Sequence, residues 1–516
     1  MKNSECIKGD NIYKWLALGV TVIGAFSSIF NSTSTNIALP KLMAAFSASA
    51  TDAQWIITGY NLIFGILQPI SGYLCDRFGA KRVYLVNLAI FVIGSGLCGM
   101  AWSNESMIAF RIVQGLGGSL IVPSSMYIVF SIFLPQERNV ALGIWGLSLS
   151  LAPAIGPTLG GYMVDSWGWQ YIYFMNLPIG IFGFLMAAFV LKETNIIRKK
   201  KFDFAGFFCS SVGLFCLLLA LSKGVDDGWD APYIIALFYV AFAMLTMFVL
   251  IELTVKDPLL DLSLFRDKSF ALGNLVISMT QFLLMSSMYL IPLFLQNMMG
   301  YSATESGILL LPSAAASFVM SPLSGVLSAK FGGKPVVILG FVLSIWWTSQ
   351  LVTVSADTDA MLIMIMQALR GASVGLVVMT ATVLSMQNIS GAKIGQANAM
   401  INTTRQVTGS FAITAMATIM QQRQIFHQEH IAEHVTNASL AFHEMIGRVT
   451  PLFVHHSASV GLAHQQAMAF LARTANTQSV YFSYDDAFFV LEIFAIIGLI
   501  AALLIKSRKK HKEAVS

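Results

Sequence analysis

The chain has 516 residues, of which 56% are hydrophobic and only 11% charged, and its mean hydropathy is +0.71. A water-soluble domain carries about a quarter charged residues, so these values exclude a large soluble protein with merely buried helices. The formal charge of +5 does not indicate a nucleic-acid partner, because the basic residues fall in short loops between apolar runs rather than on one polar surface.

Apolar runs near 20 residues long match the roughly 30 Å hydrocarbon layer that a helix must cross, so the lipid bilayer is the expected solvent. In chain order the pattern predicts helices over 15–37, 53–74, 82–101, 106–130, 139–162, 170–190 and 203–221. A second set follows over 232–252, 270–292, 304–327, 335–354, 360–385, 395–421 and 486–505. No small-residue cleavage site follows the first run, which reads as a retained helix. Cys6, Cys75, Cys98, Cys209 and Cys216 avoid the long polar segments and read as reduced thiols.

Fourteen crossings put both termini on one side. Under this scheme 23 of the 31 Lys and Arg residues share the side of the termini and five lie opposite. The remaining three, Arg111, Arg370 and Arg405, lie inside helices. Basic loops stay in the cytoplasm, so the 1–14 terminus, the 192–201 cluster and the 506–516 tail are expected there. The segment 422–485 is then the one long outer segment; it holds seven of the eight histidines, and helical periodicity through Ile425, Ile431, Leu440 and Ile446 predicts a small helical cap or stalk rather than disorder.

Several motifs punctuate the helices. Gly72, Asp76, Arg77, Gly79, Lys81 and Arg82 form a tight basic loop after the second helix. There Gly72 allows close helix approach, and Asp76 can cap or bridge to a neighbouring helix end. A weaker echo, Gly325 through Lys330, Gly332, Gly333 and Lys334, follows the tenth helix without the acid. Arg111, Gln114, Gly115, Gly117 and Gly118 lie in the fourth helix, and Gly146, Pro153, Gly156, Pro157, Gly160 and Gly161 in the fifth. That glycine face suits either a moving gate or a rigid tight pair. Trp167 and Trp169 with Asn176, Pro178 and Gly180 flank the sixth. Pro292 with Gln296, Gly307 with Pro312, and Asn402 with Arg405, Gln406 and Gly409 follow in the second half, and Gln465, Gln466 and Ala467 in the outer segment.

In this order and spacing the motifs resemble the major facilitator superfamily, its fourteen-helix drug:proton antiporter subfamily, and most of all the EmrB type of Gram-negative exporter. The likeness covers essentially the whole chain. It implies an all-α polytopic membrane protein with a twelve-helix core in two bundles, 15–190 and 253–505, and two inserted helices within 191–252. It implies a secondary exporter in a bacterial inner membrane rather than an enzyme. No cofactor is implied beyond the transmembrane proton gradient. The implied partners are hydrophobic small molecules, a periplasmic membrane-fusion adaptor and an outer-membrane channel.

One departure from that resemblance matters most. The subfamily carries an aspartate in its first helix before a Thr…Asn-x-Ala-x-Pro run, and this chain matches the run through Thr35, Asn36, Ala38 and Pro40 but has Asn31 at the acid's place. An amide does not titrate, so the proton needs another carrier. Glu492, inside the last helix, is the first candidate, working with Arg111; the alternative is a permanently ionised Glu492 facing an aqueous vestibule. Without an anion at Asn31, neutral or weakly acidic substrates are favoured over cations. Asn31, Ser34, Thr35, Tyr60, Asn61, Gln114 and Arg111 would offer hydrogen bonds, and Phe64, Phe282, Met285, Met288, Tyr289 and Phe294 an adaptable apolar wall. Arg370 and Arg405 read as gating or snorkelling groups.

His427, His430 and His434 fall on one helical face. They lack cysteine partners and compact ligand spacing, so no metal is assigned and adaptor docking is the expectation for the segment. No Gly-x-x-x-x-Gly-Lys-Ser/Thr loop is present, which sets aside an ATP-driven pump. Two other readings stay open: an exporter dedicated to one metabolite, such as a siderophore or aromatic acid, and a membrane scaffold or sensor that no longer transports.

Overall fold

The computed structural model describes residues 11–134, 137–194, 201–355, 358–434, 440–454 and 460–505. The basic tail from Lys506, the terminal Lys2 and Lys8, Arg198 to Lys200, and His455 and His456 lie outside the described residues.

The first half comprises α1 (Asn11–Phe46), α2 (Ala50–Ile66), α3 (Ser71–Phe78), α4 (Ala80–Gly99), α5 (Asn104–Ile132), α6 (Arg138–Trp145), α7 (Leu147–Ser166), α8 (Gln170–Phe174) and α9 (Asn176–Val190). A hairpin follows, α10 (Phe204–Asp227) and α11 (Pro232–Thr254). The second half comprises α12 (Lys268–Asn297), α13 (Ala303–Phe331), α14 (Gly333–Leu351), α15 (Ala360–Ser385), α16 (Ile394–His434), α17 (Leu440–Val454) and α18 (Val460–Leu504).

Eleven stretches are long and apolar enough to cross a membrane among the described residues. Three more crossings fall short by composition or continuity, and each has a local cause. The α2–α3 crossing is interrupted at residues 67–70, where Pro69 supplies no N–H for the helical ladder. The α6–α7 crossing divides at Gly146. In α16 the run Asn398, Asn402, Thr403, Thr404, Arg405 and Gln406 lowers the hydropathy of an otherwise continuous helix. The total is fourteen, as the charge pattern requires.

The helices pack as two bundles. In the first, α1 lies against α5, α7 and α9, and α4 against α5 and α9; in the second, α12 lies against α15, α16 and α18, and α14 against α15 and α18. The α10–α11 hairpin covers the seam, because α10 touches α2 of one bundle and α16 of the other. Thr414 Oγ1 donates to Leu221 O at 2.9 Å there, and Thr58 and Ser222 hydroxyls meet at 3.4 Å.

The halves close on each other at the face bearing most of the basic loops. Asn398 Nδ2 donates to Pro123 O at 2.7 Å, and Ser321 Oγ donates to Gly143 O at 2.7 Å. Gly72 sits on the backbone of Gly395, and Gly325 on that of Asn139; a Cβ at either would come within 2.5 Å of the facing carbonyl oxygen.

The largest difference from expectation is outside the membrane. The helical cap expected over 422–485 is present, but it is built from continuations of the two membrane helices with α17 between them, not from separate helices on a loop. At 1.5 Å per residue, α16 with 41 residues and α18 with 45 run about 61 and 68 Å, roughly twice the bilayer core. Arg423 Nε and His427 Nε2 bind Asp486 Oδ2 at 2.6 and 2.7 Å, tying the two helices together. Further out, Ile446, Ala467 and Leu471 are buried, with Val449 and Phe453 against them. This small core lets polar helices persist in water. The predicted ends at 421 and 486 marked where hydropathy stops, not where the helices do.

Candidate functional site

Arg111 is the centre of the first bundle. It is 1% exposed, since α5 passes between α2, α4 and α1. A guanidinium at this depth costs several kcal/mol unless its N–H groups find acceptors. They do: Nη1 donates to Asn31 Oδ1 and to Gln114 Oε1, both at 2.6 Å, and Nε donates to Ile56 O at 3.2 Å. Its carbon stands 4.1 Å from the Tyr60 ring centre and 5.9 Å from that of Tyr173. Gln114 Nε2 passes the chain on to Ser95 Oγ at 2.6 Å. Every acceptor is neutral. Asn31 Nδ2 is buried without a partner, so the amide gives its oxygen to Arg111 and leaves its own donors unused.

Of the residues singled out for hydrogen bonding, the structure thus brings together Asn31, Tyr60, Arg111 and Gln114. Ser34 seats α1 on α7, its Oγ donating to Gly156 O at 3.1 Å, while Thr35 Oγ1 bonds back within α1 to Asn31 O at 2.8 Å and lies beside Tyr173. Asn61 is exposed on the other face of α2. Ser95 and Tyr173 belong to the cluster but gave no signal in the sequence, because a lone serine or tyrosine in an apolar helix is unexceptional.

The glycine run of the fifth crossing serves two partners. A Cβ on Gly156 would stand 2.2 Å from Thr33 Oγ1, and one on Gly160 3.0 Å from Ser34 Cβ, so these two seat α7 on α1. A Cβ on Gly146 would stand 2.6 Å from Met379 Cγ and 2.8 Å from Ser321 Oγ, so this glycine faces the other bundle. Gly161 meets nothing closer than 3.8 Å. Pro157 lies within α7.

At the closed face, Asp76 is buried and accepts from Tyr127 OH at 3.0 Å, close to Gly395 at the start of α16. Gly79 holds φ +90°, a conformation only glycine adopts without strain, and admits Glu193. Glu193 accepts from the Lys81 N–H at 3.1 Å and lies 3.6 Å from Arg82 Nε, while Arg77 is half-buried.

In the second bundle Arg370 Nη1 donates to Ser287 Oγ at 3.0 Å, and Arg405 Nη2 donates to Thr382 Oγ1 at 2.7 Å. Both guanidinia are buried, Arg370 Nε and Arg405 Nη1 have no partner, and among the described residues no carboxylate reaches either. Phe282 stacks on Phe494 with ring centres 3.7 Å apart, and Phe294 packs among Tyr481, Tyr484 and Phe488. Both rings therefore hold the bundle together in this conformation, with Met285 and Tyr289 partly buried beside them. Glu492 is half-buried at the edge of the exposed α18 face formed by Phe489, Ile493 and Ile496, and makes no hydrogen bond or ion pair among the described residues.

A cavity of about 590 Å³ lies between the hairpin and α16, lined by Leu217, Leu221, Trp229, Phe238, Phe411 and Thr418 among others. Its surface is almost wholly apolar, yet Trp229 Nε1 and Thr418 Oγ1 are without partners there. It is built from helices far apart in the chain, which hid it from the sequence. In the outer segment, His427 is committed to Asp486 and His430 lies 3.7 Å from Glu433. No group of three potential metal ligands comes together among the described residues.

The model of the Major Facilitator Superfamily matches residues 21–413. The chain is 33% identical over 504 residues to the uncharacterized MFS-type transporter YhcA of Bacillus subtilis, covering 96% of this chain and 95% of that one. It is 28% identical over 487 residues to the multidrug export protein EmrB of Haemophilus influenzae, covering 93% of each. In fold it is similar to the human organic anion transporter MFSD10, with a TM-score of 0.58 at 15% identity, over 79% of this chain and 93% of that one. The two-bundle architecture, the closed basic face and these likenesses agree: the chain belongs to the Major Facilitator Superfamily and is a multi-pass membrane transporter of the EmrB type.

Proposed function

We propose that the protein exports neutral or weakly acidic hydrophobic small molecules from the cytoplasm in exchange for protons, by alternate opening of its two bundles. The observation that carries this reading is the state of Arg111, Arg370 and Arg405: three buried guanidinia at membrane depth, none in an ion pair among the described residues. An interior with that surplus of positive charge repels lipophilic cations and welcomes anionic or hydrogen-bond-accepting groups. The apolar cavity beside α16 fits the hydrophobic part of such a molecule. EmrB, by its name, exports multiple drugs.

The basic face is the cytoplasmic one in this reading, in a bacterial inner membrane with both termini inside. The stalk formed by α16, α17 and α18 then stands on the outer side. It exposes Phe426, Leu452 and Phe470 to an adaptor protein that leads to an outer-membrane channel. Deleting 440–454 should leave the protein in the membrane and end its copurification with the adaptor; unchanged copurification refutes that role.

Transport is tested in proteoliposomes under an imposed pH gradient, with a fluorescent hydrophobic weak acid and a lipophilic cation as competing probes. Gradient-driven movement of the acid supports the proposal. Preference for the cation overturns the substrate class, and movement indifferent to the gradient overturns proton coupling. Glu492→Gln in the same vesicles tests Glu492 as the carrier of the exchanged proton: full gradient-driven activity removes it from that role.

A further inference from the structure

At the basic end of the α10–α11 hairpin two carboxyl groups are buried side by side without a counter-charge. Asp203 caps α10, with Oδ1 accepting from the Gly206 N–H at 2.8 Å. Its Oδ2 and both oxygens of Glu252, at the far end of α11, are buried and have no hydrogen-bond partner. Asp203 is 9% and Glu252 5% exposed. A Cβ built on Gly206 would lie 2.3 Å from Asp203 Oδ2 and 3.0 Å from Glu252 Oε1, so the two oxygens are at most about 5.3 Å apart. The N–H groups of Leu260 and Leu259 face Glu252 without closing a hydrogen bond. Buried Phe248, Leu259 and Leu260 keep the surroundings apolar.

The charged and titratable groups around the pair do not neutralise it. From α10 there is Cys209; from the segment after α11 there is Asp261, which adds negative charge. Lys393, in the turn before α16, is held by Asp261 at 2.5 Å. Lys201 and Lys256 are exposed and Asp257 is half-buried. Two buried carboxylates within about 5.3 Å of each other repel, and one proton or one cation relieves that repulsion. A calcium ion takes six to eight oxygens and magnesium an octahedron, and no third acidic or imidazole ligand is at hand among the described residues. A proton needs only one carboxyl oxygen, so the two groups present suffice for it.

The segment that covers Glu252 is also a latch on the closed face. Besides the Asp261–Lys393 pair, Gln396 Nε2 donates to Pro258 O at 2.8 Å. Both bonds hold 258–261 against the start of α16, where Gly395 receives Gly72 and lies beside Asp76. Charge appearing on the pair therefore acts at one end of the contact that seals the two halves.

We propose that Asp203 and Glu252 form a proton-binding site, holding one proton between the two carboxyls while the basic face is closed, and that release of this proton loosens the closure. In the step one carboxylic O–H bond breaks, the proton leaves to water, and a second carboxylate remains. The effect on closure rests on the alternating-access reading; occupancy by a proton does not.

Infrared spectroscopy of the purified full-length protein tests occupancy. A protonated-carboxyl stretch should be present at neutral pH, disappear as pH rises, and be lost in Glu252→Gln, with Asp203→Asn as the second variant that keeps the helix cap. Absence of that band from the unaltered protein, or its persistence in the double variant, overturns the site. The same outcome with dependence on added magnesium, calcium or sodium assigns the site to a cation and equally overturns the proposal. Closure is read from maleimide labelling of Cys75, which is buried on α3 between Gly72 and Asp76 of the seal, in a chain whose other four cysteines are alanine. The labelling ratio of the Glu252-containing chain to Glu252→Gln should rise severalfold with pH, the thiol's own titration cancelling in the ratio. A flat ratio with the infrared band intact overturns the coupling to closure and leaves the proton site standing.

Discussion

Replacing Gly72 by alanine probes the seal between the halves with one methyl group. Its Cβ would stand 2.5 Å from Gly395 O and 2.7 Å from Gly395 C, both backbone atoms that cannot rotate away. Ordinary contact begins at 3.4 Å, so α3 and the start of α16 must separate by about 0.9 Å. Overpacking of this kind costs about 1–3 kcal/mol. The open conformation does not pay that cost, so the closed-to-open ratio should fall about 5- to 150-fold at 1.4 kcal/mol per tenfold. Cys75, 1% exposed one helical turn away, reports the change. Its maleimide labelling rate in membranes should rise in Gly72→Ala, while Gly161→Ala, with nothing closer than 3.8 Å, leaves it unchanged. Unaltered labelling in Gly72→Ala, with the protein still folded, refutes the assignment of this contact as the seal.

Gly156→Val should unfold or unseat the first bundle, since even a Cβ meets Thr33 Oγ1 at 2.2 Å; a loss of several degrees in detergent melting temperature is expected, against little change for Gly161→Ala. The Asp261 carboxyl is raised by its burial but lowered further by the hydrogen bonds from Lys393 and Ser263, and ends below the usual carboxylate range. Its stabilising contribution is thus full above the ordinary aspartate value and fades as pH falls through the lowered one; Asp261→Asn should flatten the acid limb of a melting-temperature profile, and an unchanged limb refutes the latch. Asn31→Asp sets a carboxylate at the 2.6 Å contact with Arg111, where unit charges centred about 4 Å apart attract by about 4 kcal/mol at surface-like screening, offset by several kcal/mol of desolvation. The observable is selectivity: transport of weak acid relative to lipophilic cation should fall about tenfold or more, and a constant ratio refutes electrostatic selection by the guanidinium.

Much of the architecture was legible because bilayer thickness imposes one length on every crossing and basic loops mark one side. The two-bundle packing, by contrast, depends on contacts such as Gly117 against Phe91 and Gly340 against Val377, which no periodicity reveals. Hydropathy also failed at 421 and 486, because Arg423, His427 and Asp486 mark the end of lipid and not the end of helix. In the site, a lone arginine in an apolar run announced itself by its cost, and Gln114 one turn away followed from helical spacing. Tyr60 over the guanidinium and the orphaned Nδ2 of Asn31 did not follow, since they depend on how α1 and α2 are rotated about their axes. Glu252 gave no signal for a related reason: it closes an apolar helix next to Thr254 and Lys256 and looks like an ordinary interfacial charge. Only the fold of the 255–261 segment back over it makes it a buried group.

The distribution of charge argues for separate places for substrate and proton. Among the described residues the buried cations Arg111, Arg370 and Arg405 within the bundles find only neutral acceptors, while the one close pair of buried carboxyls sits with the hairpin, outside both bundles. A carboxylate beside Arg111 would itself pair with the guanidinium and, in the proposed function, compete with an acidic substrate. Asn31 keeps the same shape and hydrogen-bond acceptor without that anion. If the proposed proton site holds, the α10–α11 hairpin has a physical reason to lie across the seam: its basic end would respond to protons while its other end, through Leu221 and Trp229, walls the cavity beside α16.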